Sequence, residues 1–150
     1  MANTYTQLYI HMVFSTKYRS PILLKEDWGA MHQYLGGILT ELKCIPITIG
    51  GVENHVHLLF RVDKMKSIVE VARVVKANSS KWIKSQRPRY ADFIWQDGYS
   101  AFTVSKSLLR TVSKYIAHQE EHHQNCSFEQ EYRQLLVLHD IEFSDEYLFD

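Results

Sequence analysis

The sequence predicts an α+β fold of the ferredoxin-like, RRM-like kind, a split βαβ sandwich. Three observations carry this. Residues 5–14 alternate strictly between faces, with Leu8, Ile10, Met12 and Phe14 on one and Tyr9, His11 and Val13 on the other. Residues 45–62 read as two strands joined by a tight, glycine-bearing turn. Two amphipathic helices, about 25–43 and 66–85, separate these strands from each other and from a fourth strand over 99–105. The order strand, helix, strand, strand, helix, strand gives an antiparallel sheet with helices on one face.

The elements follow in turn. The first strand runs into a basic loop, Ser15 to Ser20, in which Tyr18 stands near Lys17 and Arg19. Such a loop suits either phosphate and base contacts or an ordinary polar turn. Trp28, Met31, Leu35, Ile38, Leu39 and Leu42 recur at three and four, the stripe of the first helix. The second helix buries Ile68, Val71, Ala72, Val75, Trp82 and Ile83, with Arg73, Lys76, Lys81 and Lys84 mostly off that stripe. Residues 90–97 read as an irregular link. Ser105 or Ser107 can cap a helix over 106–123. A final helix over 128–138 buries Tyr132, Leu135, Leu136 and Leu138, and the tail from His139 is too apolar to be disordered and is expected to pack on the body.

Bulk properties narrow the function. A chain of 150 residues is read as one domain, 1–150, able to bury a core without disulfide or metal staples. Cys44 and Cys126 lack metal-type spacing and read as reduced thiols of a cytoplasmic protein. No secretory signal opens the sequence, and no apolar run approaches the ~18 residues of a membrane span. Formal net charge is zero, but it is segregated. Nine bases lie in residues 61–90 and nine acids in residues 116–150. That permits a basic nucleic-acid surface on a neutral chain, in the Lys17–Arg19 loop and at Arg73, Lys76, Lys81 and Lys84. A solvated helix and an acidic tail are the other reading.

The chemistry gathers at His55-Val56-His57. In a strand, His55, His57, Leu59 and Arg61 share one face, while Val56, Leu58, Phe60 and Val62 cover the core from the other. Two imidazoles side by side can hold a divalent metal. His11, with no partner at a fixed spacing, reads as a structural sheet residue. Tyr115 and Gln119 are four apart on the helix over 106–123, hence on one face. If that helix packs across the histidine face, Gln119 adds an oxygen ligand and Tyr115 stands beside the metal. Two His and one Gln leave positions open for phosphate oxygens.

These blocks resemble the small single-tyrosine HUH transposases of bacterial and archaeal insertion sequences. The matching residues are Gly50-Gly51 with Asn54-His55-Val56-His57-Leu58-Leu59, Trp95 to Ser105, Tyr115 to His123, and Ser127 to Tyr132. The resemblance implies an enzyme that cuts and rejoins single-stranded DNA at hairpin-bearing element ends. Tyr115 matches its nucleophile, giving a 5′-phosphotyrosine, and His55, His57 and Gln119 match its Mg²⁺ or Mn²⁺ ligands. It also implies a homodimer in which one subunit's tyrosine helix completes the other's metal site, and no nucleotide cofactor. The glycine that some members carry ahead of that helix is missing from Val104-Ser105-Lys106-Ser107.

Two other readings use the same residues. His118-Gln119-Glu120-Glu121-His122 fits the H-x-x-E-H pattern of inverted zinc peptidases, but leaves His55 and His57 unexplained. A non-catalytic single-strand-binding module explains the charge and aromatics but not the histidine pair with Tyr115 and Gln119. A host-serving nuclease acting on chromosomal repeat hairpins shares all the chemistry. His122 and His123 read as helix-end imidazoles near the C-terminal dipole.

Overall fold

A computed structural model describes residues 2–149. Its four strands are β1 (Tyr9–Ser15), β2 (Ile45–Val52), β3 (His55–Arg61) and β4 (Ser100–Val104). They form one sheet in the order β2-β3-β1-β4, every neighbour antiparallel. Helices α1 (Lys25–Glu41) and α2 (Ile68–Lys84) cover one face. The other face carries α3 (Leu109–Ala117), α4 (Gln119–His122) and α5 (Phe128–Leu138). This is the α+β sandwich expected from the order of elements.

Strand alternation sets the two faces. Ile10, Met12 and Phe14 of β1 join Val56, Leu58 and Phe60 of β3 against Met31, Leu35, Leu39, Val71, Val75 and Ile83 of the two helices. Ser67 caps α2, its side chain accepting from the Glu70 amide at 3.2 Å. The region after α2 is more ordered than the sequence suggests. Asp27 accepts from Arg87 Nε at 2.7 Å and from the Tyr90 hydroxyl at 2.5 Å, and Trp95 donates to Ser79 Oγ at 3.0 Å. On the opposite face Val13, Phe102, Phe128, Tyr132 and Leu136 form a smaller core. A capping box between Ser127 and Gln130 starts α5 there.

Three local readings change. The β2–β3 turn is Glu53-Asn54, and Gly50 and Gly51 lie inside β2. They are needed for close approach: a Cβ on Gly50 would press into the Ile116 carbonyl of α3, and Gly51 adopts φ 149 against the His55 backbone. The expected helix over 106–123 is broken. Ser105 stands at the N-cap position of a short 3-10 turn, Lys106–Leu108, ahead of α3, but its side chain bonds to Ser107 at 3.0 Å and makes no cap bond. His118 leaves helical geometry at φ −107, ψ 30. Leu138 is exposed. The tail packs through its end, Leu148 and Phe149 lying on the smaller core while Tyr147 is exposed.

Candidate metal centre and nucleophile

On the polar sheet face, β3 holds His55 and His57 while β1 brings His11 alongside. Helix α3 starts beyond β4 at one sheet edge and reaches β2 at the other, where Ile116 meets Gly50. That crossing lays Tyr115 over the histidines, its ring centroid 5.7 Å from that of His57. The break at His118 turns Gln119 inward, where its Oε1 lies 2.9 Å from His55 Nε2. His55, His57 and Gln119 are all buried. The structure therefore brings together all four residues placed in the centre by sequence.

It adds a fifth. Glu131 of α5 is 1 % exposed and stands at the middle of the group. Its Oε1 lies 3.1 Å from His57 Nε2, 3.3 Å from His55 Nε2 and 3.1 Å from His123 Nε2. Its Oε2 accepts from Gln119 Nε2 at 3.0 Å and from the Tyr115 hydroxyl. The ligand atoms of His55, His57 and Glu131 lie within 4.8 Å of one another, a set chemically fit for a divalent cation. The sequence pattern does not single out Glu131, because its helix reads as a packing element. The available signal was an acid at the 131 position of a stripe formed by Phe128, Tyr132 and Leu136.

The rings are held by neighbours. His57 Nδ1 lies 2.8 Å from His11 Nε2, and His55 Nδ1 lies 2.7 Å from Asn54 Oδ1. His11 thus orients His57. Burial, then the adjacent His57, brings the His11 imidazole down to about 3, so it is neutral. Burial likewise brings His55 down to about 4, against the pull of Glu131. Burial acts to raise the Glu131 carboxyl, but the imidazoles of His123, His55 and His57 outweigh it and hold the group well below the usual range. Tyr115 is pushed far above the ordinary tyrosine range, by burial first and then by the Glu131 charge. A phenolate there requires that charge to be offset.

His122 and His123 do not sit at a free helix end. Both turn toward Glu131, His122 Nε2 at 3.4 Å from Oε2. His118 is exposed, its Nδ1 2.7 Å from the Lys114 carbonyl, so the His118–His122 pair forms no peptidase-type site.

The basic residues separate into two groups. Lys17 pairs with Asp97 at 3.2 Å, and Arg19 pairs with Glu129 at 2.8 Å while its guanidinium lies over the Phe149 ring. Lys76 donates to the carbonyls of Gln96, Asp97 and Gly98 at 2.6, 3.1 and 2.9 Å, which ties α2 to the segment before β4. Arg73, Lys81 and Lys84 are exposed on α2, across the sheet from the metal centre.

Known proteins share this architecture. The family model described as "Transposase IS200 like" matches residues 4–119. The ISDra2 transposase TnpA of Deinococcus radiodurans is 25% identical over 120 residues, covering 77% of this chain and 86% of that protein. A crystal structure of a protein assigned as a transposase in Deinococcus radiodurans R1 superposes with a TM-score of 0.62 at 22% identity, covering 79% of this chain and 95% of that one. A REP-associated tyrosine transposase bound to a REP hairpin superposes with a TM-score of 0.60 at 12% identity, covering 82% and 73%. With a family match across most of its length and the histidine face intact, the chain belongs to the IS200-like transposase family.

Proposed function

We propose that this transposase cleaves and rejoins single-stranded DNA at hairpin-bearing ends, through a 5′-phosphotyrosine on Tyr115. One observation carries the reading: the Tyr115 hydroxyl, the Gln119 amide and the His55 and His57 imidazoles all converge on a single buried carboxylate. The hairpin as substrate class draws support from the structural neighbour bound to one.

His55, His57 and Gln119 would hold Mg²⁺ or Mn²⁺, with Glu131 in reach of the same position. A bound divalent cation offsets charge on the scissile phosphate and beside the phenol. The chain's residues do the rest. Glu131 accepts the Tyr115 proton's hydrogen bond and fixes the ring's direction. Attack of the phenol oxygen on phosphorus forms the Tyr115–phosphate bond and breaks the P–O3′ bond; the phenol gives up its proton and the departing oxygen takes one up, which releases a DNA 3′-OH. Because the phosphodiester is exchanged and not hydrolysed, a second 3′-OH reverses the step on a new strand, without a nucleotide cofactor.

Arg73, Lys81 and Lys84 would hold phosphates of the hairpin, with Lys17, Arg19 and Lys76 contributing where their internal partners release them. The enzyme would act in the cytoplasm as a homodimer, one subunit's α3 and α4 completing the other's centre. Within one chain these helices already reach its own His55 and His57. Among the described residues no helix is long and apolar enough to cross a membrane.

The test is cleavage of labelled hairpin-bearing single strands at millimolar Mg²⁺ or Mn²⁺. Wild type should cut and His57→Ala should bind without cutting. Equal cleavage by both proteins would remove the histidine pair from the chemistry.

A further inference from the structure

Five side chains from three parts of the chain bring nitrogen and oxygen atoms to one spot. His123 Nδ1 lies 2.6 Å from the Cys126 carbonyl, an oxygen that only accepts, so that nitrogen carries the ring's proton. Its Nε2 then presents a lone pair, yet it faces Gln119 Oε1 at 3.0 Å and Glu131 Oε1 at 3.1 Å. His55 repeats the pattern. Its Nδ1 is turned to Asn54 Oδ1 at 2.7 Å, and its Nε2 faces Gln119 Oε1 at 2.9 Å and Glu131 Oε1 at 3.3 Å. His57, with Nδ1 engaged by His11, aims Nε2 at the same Glu131 oxygen from 3.1 Å.

Lone pairs at such separations repel unless a positive charge lies among them. One extra proton on His123 would answer that ring's two contacts and neither of those made by His55. A single cation answers all of them. The separations made by Glu131 Oε1 and Gln119 Oε1, between 2.9 and 3.3 Å, match the edges of about 3 Å of an octahedron with bonds of about 2.1 Å.

We infer that His123 and Glu131 join His55, His57 and Gln119 as ligands of one divalent cation, giving three imidazole nitrogens and two oxygens. This rests on the metal reading of the His55/His57/Gln119 site and extends it with two donors from beyond the tyrosine helix. Three imidazoles shift preference away from Mg²⁺, an oxygen-seeking ion, toward Mn²⁺. Five protein donors leave an octahedral ion one free position. His122 approaches the other Glu131 oxygen, its Nε2 3.4 Å from Oε2 and without a hydrogen bond, and with His123 and Glu131 it forms a second group of close ligand atoms. We place it outside the set because that oxygen also takes the Tyr115 and Gln119 hydrogen bonds.

The experiment is Mn²⁺ binding to the whole chain without DNA, followed by electron paramagnetic resonance of the free ion. Wild type, His57→Ala, His123→Ala, Glu131→Gln and His122→Ala would be compared, with circular dichroism to verify folding. His123→Ala and Glu131→Gln should each weaken Mn²⁺ at least tenfold, and His122→Ala should stay within twofold. Nitrogen modulation in pulsed spectra of the wild-type complex should report three imidazoles, falling to two in His123→Ala. That count decides the matter even if Glu131→Gln fails to fold. Two imidazoles in wild type, with unchanged affinity in His123→Ala, would overturn the added ligands while leaving His55 and His57 in place. No Mn²⁺ binding by wild type, or equal binding by His57→Ala, would instead overturn the metal reading beneath them.

Discussion

Gly50 of β2 and Ile116 of α3 meet backbone to backbone, the Ile116 carbonyl occupying the space where a Cβ on Gly50 would stand. This contact seats the tyrosine helix against the sheet one residue from Tyr115. Gly50→Ala must push α3 away, because the obstacle is main chain and cannot rotate aside. Overpacking of this kind costs about 1–3 kcal/mol. For a chain of this size that is a fall in melting temperature of about 2–4 °C per kcal/mol. Cleavage should fall at least tenfold, whichever subunit supplies the helix. Full activity at an unchanged melting temperature would show that the helix is seated otherwise in the working enzyme.

His11 should act through His57. Removing the partner of His57 Nδ1 frees the ring to turn, an effect that in metal sites typically weakens binding by about 10–100-fold. His11→Ala should raise the Mn²⁺ concentration for half-maximal cleavage by that factor, with rate recovered at excess metal. A variant with reduced rate at every metal concentration and an unchanged half-point would make His11 a packing residue only.

Lys76 and its neighbours on α2 should separate by experiment. Lys76 holds three carbonyls, so Lys76→Ala should cost about 1–2 kcal/mol in melting experiments. The triple variant Arg73→Ala, Lys81→Ala, Lys84→Ala should keep its stability, weaken hairpin binding across sequences and flatten its salt dependence. Unchanged affinity in the triple variant would move the DNA surface elsewhere.

Much of this was legible in the sequence because period-2 and period-3.6 patterns report directly on burial. Ile10, Met12 and Phe14, or Met31, Leu35 and Leu39, announce their faces and with them the sandwich. The histidine pair was legible because strand alternation leaves His55 and His57 no choice but the face opposite Val56 and Leu58. Glu131 was not, since its role depends on α5 docking against β3, a long-range contact that local pattern does not encode. The same holds for His123, which follows the break at His118 and whose ring is held by the Cys126 carbonyl. Gly50 and Gly51 suggested a turn by type, whereas close approach of a later helix is what fixes them.

Subunit exchange tests the dimer. A mixture of Tyr115→Phe and His57→Ala chains, each inactive alone, should regain adduct formation after co-refolding, on the His57→Ala chain. That heterodimer holds one composite centre with Tyr115 and Gln119 from one chain and His55 and His57 from the other. Verified heterodimers without adduct would mean that each chain uses its own α3, as the contacts within a single chain already allow.

The central claim is that Tyr115 carries the DNA, and covalent capture measures it directly. Tyr115→Phe removes one hydroxyl from a ring whose packing against His57 and His122 remains. With hairpin-bearing single strands labelled at the 3′ end or at the 5′ end, and Mn²⁺, wild type should give a denaturant-stable protein–DNA adduct carrying the 3′ label and a shortened 5′-labelled strand with a free 3′-OH. Tyr115→Phe should bind the same DNA with equal affinity and give neither product. Adduct formation by Tyr115→Phe, or cleavage by wild type that leaves a free 5′-phosphate and no adduct, would contradict the account.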